Sequence, residues 1–440
     1  MLGSHQHNSQ RIFYCVIHHP PLLKNLFSLE GMARPTMIMF VATLVGGGCD
    51  YLFQIVMGRN LGPESYSELN ALLSIFYIIS VPTQTIGTFL ARYTSRLKAE
   101  GNHGGIAWLM RRTLVFALLI ALLVALGLVL ALPQLSRFIS LTSTLPVFIL
   151  MVGVLIVTIS PVGYGPTQGL QRFHFSGAFG VAGPMGKLVF GLLLTGAGFG
   201  VAGALGGVVI GSFLAMTVGF VAVRDYLRRP AVSVSKDESS SMKRYVLTVT
   251  AGIVGWAILI NVDIFLARQY LPPYEAGLYS VASILGKVVF FLSGGVCSVL
   301  LPKVSDFHAR KKRTVEMVRV AALLTLAITT VVAAAYLLFP VPILNFLYGG
   351  IYVDAAPALS ILGLAMVFFS LSGLFLNYGL AIASRAYILI FSAFTLLQVA
   401  LIMTFHDSAV QIAFDLLITG TGLATVSWVY MEIRARAELL

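Results

Sequence analysis

The sequence contains little charge, since Asp, Glu, Lys and Arg make up only 10% of its 440 residues whereas 58% are hydrophobic. The mean hydropathy is +0.90. A soluble enzyme or a nucleic-acid-binding protein of this length would need far more polar surface. We therefore expect an integral membrane protein that has the lipid bilayer as a partner and binds no nucleic acid.

Cysteine and the common catalytic motifs are also scarce or missing. Cys15, Cys49 and Cys297 lie far apart, and the histidines do not have the spacing of metal ligands, which argues against a disulfide framework and a zinc site. HExxH and a nucleophile elbow are absent, and the sequences around Gly186-Lys187 and Gly286-Lys287 do not fit a P-loop. We expect no catalytic residue, no metal and no cofactor, and hence a protein that is not an enzyme.

What the chain does have is long hydrophobic runs. A helix of about 20 residues spans a bilayer core of about 30 Å, and a window of that length finds twelve candidate spans. They are placed at 36–57, 67–91, 113–132, 146–165, 176–196, 200–223, 246–267, 276–301, 318–339, 355–379, 386–405 and 409–431. The expected fold is all-α: a polytopic membrane protein with 12 transmembrane helices in two six-helix lobes around a central cavity.

The basic residues indicate the orientation. If the amino terminus is cytoplasmic, 24 of the 29 Lys and Arg residues lie on the inner side, and only Arg59, Arg137 and Arg268 lie outside. Cytoplasmic loops carry such an excess of positive charge. The net charge of +12 is thus explained by topology, and we expect a multi-pass protein of the cytoplasmic (inner) membrane with both termini cytoplasmic.

The longest polar connection follows span 6 and divides the chain into two halves. We expect five parts: a cytoplasmic N-terminal extension at 1–35, an N-lobe at 36–223, a cytoplasmic linker at 224–245, a C-lobe at 246–431 and a cytoplasmic tail at 432–440. Met32, which directly precedes the first span, is an alternative start. A shift of 210 residues aligns the hydropathy and loop lengths of the two lobes at low identity. Such repeats are typical of transporters with a central cavity.

Four ionisable residues lie within the predicted spans: Asp50, Lys187, Asp263 and Lys287. Each costs roughly 2.5 to 3.5 kcal/mol at helix-centre depth on insertion scales, so each needs a partner or water. One interpretation is structural: ion pairs between helices, or lysines that extend towards an interface. The other is functional: the lysines attract an anionic headgroup in a cavity, and an aspartate binds or responds to a coupling cation.

Two spans carry a polar face. In span 2 the polar residues recur every four positions, on one side of the helix: Ser80, Gln84, Thr88 and Arg92. Lipid contact would be costly for this face, so we expect it to meet protein or water. Arg92 can hold two phosphate oxygens or can serve only as a topology anchor. In span 8 the corresponding residues are Ser280, Ser283 and Lys287.

Several strings resemble a known family. They are GRNLGPESY at 58–66, QGLQRF at 168–173, LPPYEAGLYS at 271–280 and PKVS at 302–305. They are similar to the polysaccharide transporter (O-antigen flippase) branch of the multidrug/oligosaccharidyl-lipid/polysaccharide exporter superfamily. The resemblance covers about 35–440. The chain departs from the family pattern at Ser67-Glu68, where Gly-Leu is usual, and by an extra proline at 272–273.

The resemblance implies a flippase that moves a polyprenyl-diphosphate-linked oligosaccharide across the membrane by alternating access, for polysaccharide biosynthesis. Other polysaccharide assembly proteins are then candidate partners. The family's cavity is formed largely by its first, second, seventh and eighth helices. We accordingly assign headgroup binding to Gln84, Arg92, Lys187 and Lys287, and ion coupling to Asp50 and Asp263. The alternative is a cation-coupled drug or metabolite antiporter of the same superfamily. A polymerase or ligase is disfavoured because no outer loop is long enough for a catalytic domain.

Overall fold

A computed structural model describes residues 30–141, 143–230, 232, 254–294, 315–381 and 384–437. Within these ranges the chain is helical and contains no β-strand. Most of the extension predicted at 1–35, most of the linker predicted at 224–245 and the end of predicted span 8 lie outside the described residues. The domain bounds therefore stay a prediction.

Thirteen α-helices are described, and they are numbered here in chain order. Their bounds are α1 Glu30–Ala99, α2 His103–Phe138, α3 Leu145–Ile159, α4 Pro161–Gly169, α5 Phe173–Leu194, α6 Gly200–Leu227, α7 254–270, α8 Pro273–Leu292, α9 Val315–Leu338, α10 Pro340–Tyr348, α11 Ala356–Ala381, α12 Arg385–Thr404 and α13 Ala409–Ala437. A π-helical turn, Thr195–Phe199, joins α5 to α6, and a 3₁₀ helix, Gly350–Ala355, joins α10 to α11.

The predicted architecture of twelve spans in two lobes is confirmed. In the described ranges, nine helical stretches are long and apolar enough to cross a membrane. Two of them, Met37–Ala99 and Phe173–Leu227, each contain two predicted spans, and α3 and α4 together form predicted span 4. The helix α7 is the described part of predicted span 7.

A single glycine makes the turn between spans 1 and 2. Spans 1 and 2 were expected to be joined by a loop, but α1 is continuous except at Gly62, where φ is 72° and the chain changes direction. Glycine adopts this left-handed conformation without a steric penalty. Pro63 then begins the second part of α1, where a missing N–H costs nothing. Residues 30–61 and 63–99 are called the first and second limbs of α1.

Small residues let α5 and α6 pack backbone against backbone. A Cβ atom placed on Gly211 of α6 would lie 2.6 Å from the backbone nitrogen of Lys187 on α5, and one on Gly186 would lie 2.9 Å from the Cα of Gly211. Such close approach is typical of small-residue helix interfaces in membranes. The packing fixes the backbone of Lys187 against α6.

The buried apolar residues form two clusters that differ in which lobes they join. The larger includes Tyr66 and Leu69 of α1 together with Tyr348 and Tyr352 from the C-lobe. The buried residues of the smaller cluster all lie between 89 and 226, and they include Tyr226 near the end of α6. The face of the protein at the Gly62 turn and the 3₁₀ helix, where the lobes share a core, is called the closed face. The face at the turn between α1 and α2 is called the opposite face.

Candidate functional site

In the N-lobe the structure brings together two of the predicted site residues. Lys187 of α5 places its Nζ 2.9 Å from Oδ1 of Asp50 on the first limb of α1. The same Nζ lies 3.3 Å from the Tyr77 hydroxyl and 4.5 Å from the centre of the Phe53 ring. The Lys187 side chain is 9% exposed, whereas that of Asp50 is 48% exposed. The pair therefore buries its ammonium and turns its carboxylate outwards.

The surroundings of Lys187 offset the cost of burying a charge. Removing an ammonium from water costs several kcal/mol, and here the carboxylate of Asp50, the hydroxyl of Tyr77 and the π face of Phe53 all stabilise the charged form. The half-exposed carboxylate of Asp50 keeps lone pairs that can accept other donors. Asp50 is thus the less enclosed member of this pair.

The C-lobe holds a second pair of predicted residues, but this one is sealed. Asp263 of α7 is 0% exposed, and its Oδ2 accepts hydrogen bonds from the Tyr279 hydroxyl at 3.0 Å and from the Ser283 hydroxyl at 2.6 Å. Its Oδ1 lies 3.5 Å from Nζ of Lys287 on α8. Neither of those two atoms has a hydrogen-bond partner among the described residues. The contact between them is therefore electrostatic only, which leaves a buried donor and a buried acceptor incompletely satisfied.

The two pairs occupy related places in the two lobes. The 210-residue shift aligns Phe53 with Asp263 and Tyr77 with Lys287. Each lobe thus has an ion pair where its first two spans meet. In the N-lobe the cation belongs to α5, whereas in the C-lobe both charged residues belong to the first two spans. Tyr77 was missed from the sequence, and its alignment with Lys287 was a signal that could have found it.

The polar face of predicted span 2 is only partly buried. On the second limb of α1, Gln84, Thr88 and Arg92 are exposed, whereas Ser80 is 8% exposed. Other residues of this limb pack against α4, where a Cβ on Gly165 would overlap the Gly87 carbonyl oxygen. Gln84 and Arg92 are not covered by this packing, and neither is a member of the Asp50–Lys187 or Asp263–Lys287 pair.

The exposed surface of α2 provides a contrast. Its outward side chains are large and apolar, as suits contact with lipid: Val115, Phe116, Leu119, Leu122, Leu123, Leu126 and Leu130. An exposed polar stripe at membrane depth is costly in lipid but not in a water-filled cavity. The second limb of α1 thus has the composition of a cavity wall.

The polar face predicted on span 8 is arranged differently. Ser280 and Ser283 are buried, and their hydroxyls bond to the Ala276 carbonyl and to Asp263. Of these two hydroxyls only that of Ser283 donates to the buried carboxylate on the neighbouring α7, while that of Ser280 bonds within its own helix, so the face serves packing within the C-lobe. A further buried acid, Asp415 on α13, is 3% exposed and was missed. Its position inside predicted span 12 was a signal that the sequence offered.

Comparison with known proteins gives a family and a fold. The family described as "Polysaccharide biosynthesis protein" matches residues 103–357. A search of curated proteins found no match. Among solved structures, an inward-facing multidrug resistance MATE family transporter of the MOP superfamily is 17% identical, with a TM-score of 0.75 over 88% of this chain and 95% of that one.

Two other solved structures are similar over 92% of this chain and 96% of theirs. An outward-facing multidrug resistance MATE family transporter has a TM-score of 0.65 at 16% identity. A MOP superfamily transporter from Pyrococcus furiosus, described as having a binding pocket of reverse polarity, has a TM-score of 0.65 at 18% identity. These likenesses show the transporter fold.

Proposed function

The chain belongs to the polysaccharide biosynthesis protein family, and on that premise we propose that it is a flippase. It moves a polyprenyl-diphosphate-linked oligosaccharide across the cytoplasmic membrane by alternating access. The observation that carries this proposal is the exposed stripe of Gln84, Thr88 and Arg92 on a membrane-spanning helix. A sugar headgroup needs such a hydrated, hydrogen-bonding wall, while the polyprenyl tail stays in lipid between the lobes.

The proposed orientation has the closed face outside and the opposite face in the cytoplasm, as the distribution of Lys and Arg favours. The described conformation is then inward-facing. The higher TM-score to the inward-facing relative, 0.75 against 0.65 for the outward-facing one, supports this assignment. The stripe opens towards the cytoplasm, and Arg92 lies near the mouth of the cavity. Both termini are then cytoplasmic.

The proposed roles follow from exposure and charge. The Arg92 guanidinium binds the diphosphate, because it can donate two parallel hydrogen bonds to phosphate oxygens, and Gln84 donates to and accepts from sugar hydroxyls. The ammonium groups of Lys187 and Lys287 are largely buried, so they contact the headgroup only when their aspartate partners release them. Asp50 is the coupling residue accessible in this state, whereas Asp263 is shielded.

The test is a proteoliposome assay with a labelled polyprenyl-diphosphate oligosaccharide, in which an external glycosidase scores the translocated fraction. We expect Arg92→Gln to lower the rate at least about tenfold, since a hydrogen bond to a charged group contributes about 1.5 to 3 kcal/mol and 1.4 kcal/mol is a factor of ten. The matched control is Arg96→Gln on the same helix. Arg96 is exposed and paired with Glu100 at 2.8 Å, so its loss should leave the rate unchanged.

Two outcomes would contradict the proposal. Equal effects of the two substitutions would mean that only net charge near the mouth matters. If the protein makes none of several labelled glycans accessible to the external glycosidase, even with an imposed ion gradient, the flippase proposal is refuted.

A second candidate function is a cation-coupled antiporter for drugs or metabolites. It is favoured by the half-exposed Asp50 carboxylate and by the fold shared with multidrug resistance transporters. Drug susceptibility and surface glycans are measured together in cells that express the parent or Asp50→Asn. Loss of drug resistance with unchanged glycans would favour the antiporter, and loss of glycans with unchanged resistance would favour the flippase.

A further inference from the structure

An arginine of the C-lobe is buried against the N-lobe at the closed face. Arg268, in the last turn of α7, is 6% exposed. Its guanidinium donates to the Ser67 hydroxyl at 2.8 Å and to the carbonyl oxygens of Ile139 and Ser140 at 3.1 and 3.3 Å. All three acceptors belong to the N-lobe. The carboxylate of Glu68, which is 1% exposed, also acts electrostatically on Arg268.

The loop at Ile139 and Ser140, whose carbonyl oxygens accept from Arg268, has an unusual backbone conformation. Ser140 has φ of 48°, a left-handed conformation that is uncommon for residues other than glycine. The neighbouring Phe138 stacks on Phe265 of α7, with ring centroids 5.2 Å apart. An N-lobe loop is thus held against the end of α7 by both polar and apolar contacts.

An arginine of the N-lobe makes the reciprocal contact. Arg59, near the end of the first limb of α1, donates to the carbonyl oxygens of Leu347 at 2.8 Å and Phe346 at 2.5 Å. Both carbonyls lie in the last turn of α10, where a helix has no internal donors for them and where positive charge is favoured. The Tyr352 hydroxyl adds a bond to the Gly58 carbonyl oxygen at 2.8 Å.

At the closed face, residues of the two lobes are also tightly packed. Tyr66 of the N-lobe lies with its ring centroid 6.2 Å from that of Tyr348 and 6.3 Å from that of Tyr352. A Cβ on Gly58 would lie 2.5 Å from the Tyr348 ring, and one on Gly277 would overlap the backbone of Pro63. Opening the closed face must therefore break polar and apolar contacts together.

We propose that Arg59 and Arg268 form a reciprocal latch that holds the closed face shut and sets the equilibrium between this conformation and one open at that face. Each arginine is rooted in one lobe and bonded to the other, so separation of the lobes strips both guanidiniums of their acceptors. A state that loses these contacts is disfavoured by their summed free energy.

The latch also explains two oddities of the sequence. Arg59 and Arg268 are two of the three basic residues on the side that should carry few, and Ser67-Glu68 departs from the family pattern at the site that Arg268 contacts. The third, Arg137, is exposed and, among the described residues, has no polar contact with the C-lobe. It therefore serves as the matched control.

The test measures how readily the closed face opens. Ala71, fully buried one helical turn below Ser67 on the second limb of α1, is replaced by cysteine as a reporter. A membrane-impermeant maleimide is applied to intact cells and, separately, to inside-out vesicles, and labelling of the protein without Ala71→Cys is subtracted. We expect Arg268→Gln to raise the external labelling rate about tenfold. Arg59→Gln, which removes an exposed side chain, and Arg268→Lys should raise it less, and Arg137→Gln not at all.

The outcomes separate the latch from the proposed function. Unchanged labelling in Arg59→Gln, Arg268→Gln and the double variant, or an equal rise in Arg137→Gln, would overturn the latch. If Arg268→Gln fails to reach the membrane, Ser67→Ala removes one acceptor and should give a smaller rise. If the labelling rate rises only in inside-out vesicles, the latch proposal stands, but the closed face lies on the cytoplasmic side. Labelling needs no substrate, so failure of the flippase proposal leaves this result unaffected.

Discussion

Replacing Lys287 by methionine should destabilise the protein far more than replacing Lys187, although both lysines are ion-paired within the membrane-spanning region. The difference lies in the partner that remains. Asp263 is 0% exposed, so loss of Lys287 leaves a buried carboxylate without a counter-ion. Asp50 is 48% exposed, so loss of Lys187 leaves a carboxylate that water can solvate.

The expected magnitude follows from these environments. Removing one partner of a buried ion pair costs about 3 to 5 kcal/mol, whereas exposed pairs contribute about 0 to 1 kcal/mol. Tyr279 and Ser283 still donate to Asp263, which places the loss for Lys287→Met at the lower end, about 3 kcal/mol. Lys187→Met should cost about 1 kcal/mol, because methionine can still pack against Phe53.

The reverse substitutions sharpen the contrast. Asp263→Asn leaves a buried ammonium and should be as harmful as Lys287→Met. The double variant Asp263→Asn/Lys287→Met removes both charges and should recover most of the stability, because the desolvation cost of the pair disappears with it. In the N-lobe, Asp50→Asn should cost more than Lys187→Met, since it leaves the buried Lys187 ammonium without its anion.

The assay is unfolding of the purified protein in detergent, by heat and by denaturant, for the four single variants and the double variant. Similar unfolding midpoints for Lys187→Met and Lys287→Met would refute the reasoning. So would a double variant whose loss of stability equals the added losses of Asp263→Asn and Lys287→Met. Transport is measured on the same preparations after their reconstitution into proteoliposomes. A double variant that is stable but inactive would assign the C-lobe pair to transport, whereas one that is stable and active would leave it a structural role only.

Two further predictions concern packing and surface charge. Gly211→Ala should lower the unfolding midpoint markedly, because its Cβ would lie 2.6 Å from the Lys187 backbone nitrogen and must separate α5 from α6; overpacking of this kind costs about 1 to 3 kcal/mol. Gly206→Ala is the matched control, since its Cβ would meet only the flexible end of Leu194 at 3.0 Å, and equal losses would contradict the packing argument. Arg319→Gln breaks a pair with Glu432 in which the arginine is 48% exposed, so we expect a change below about 1 kcal/mol; a loss above about 2 kcal/mol in the same measurement would show that the pair is shielded from solvent.

The sequence predicted the spans well because the forces that create them are local. Twenty consecutive apolar residues must enter the bilayer as helix to satisfy their own backbone groups, and this holds whatever the neighbouring helices are. The glycine-rich segment 196–200 was likewise expected to turn, and it contains Gly198 and Gly200 at φ of 92° and 50°. Between spans 1 and 2 a loop was expected, but the single residue Gly62 makes the turn.

The candidate site was predicted only in part, because its geometry depends on residues distant in sequence. Both aspartates and both lysines stood out by their cost in lipid, but hydropathy could not decide between ion pairs and open cavity residues. Asp50 meets Lys187 across 137 positions, and Lys287 is turned towards Asp263. Asp415 escaped notice although its cost in lipid is of the same kind.

The sequence by itself determined the membrane class, the number of spans and the chemical types available to the site, since hydrophobicity and glycine content act within single helices. Only the tertiary structure decided which charges neutralise each other, which polar stripe stays exposed, and that Arg59 and Arg268 join the two lobes. Those outcomes depend on distances between helices. Hydrogen bonds and ion pairs stabilise the protein only when their atoms lie within about 3 to 4 Å of each other, and no local pattern specifies that.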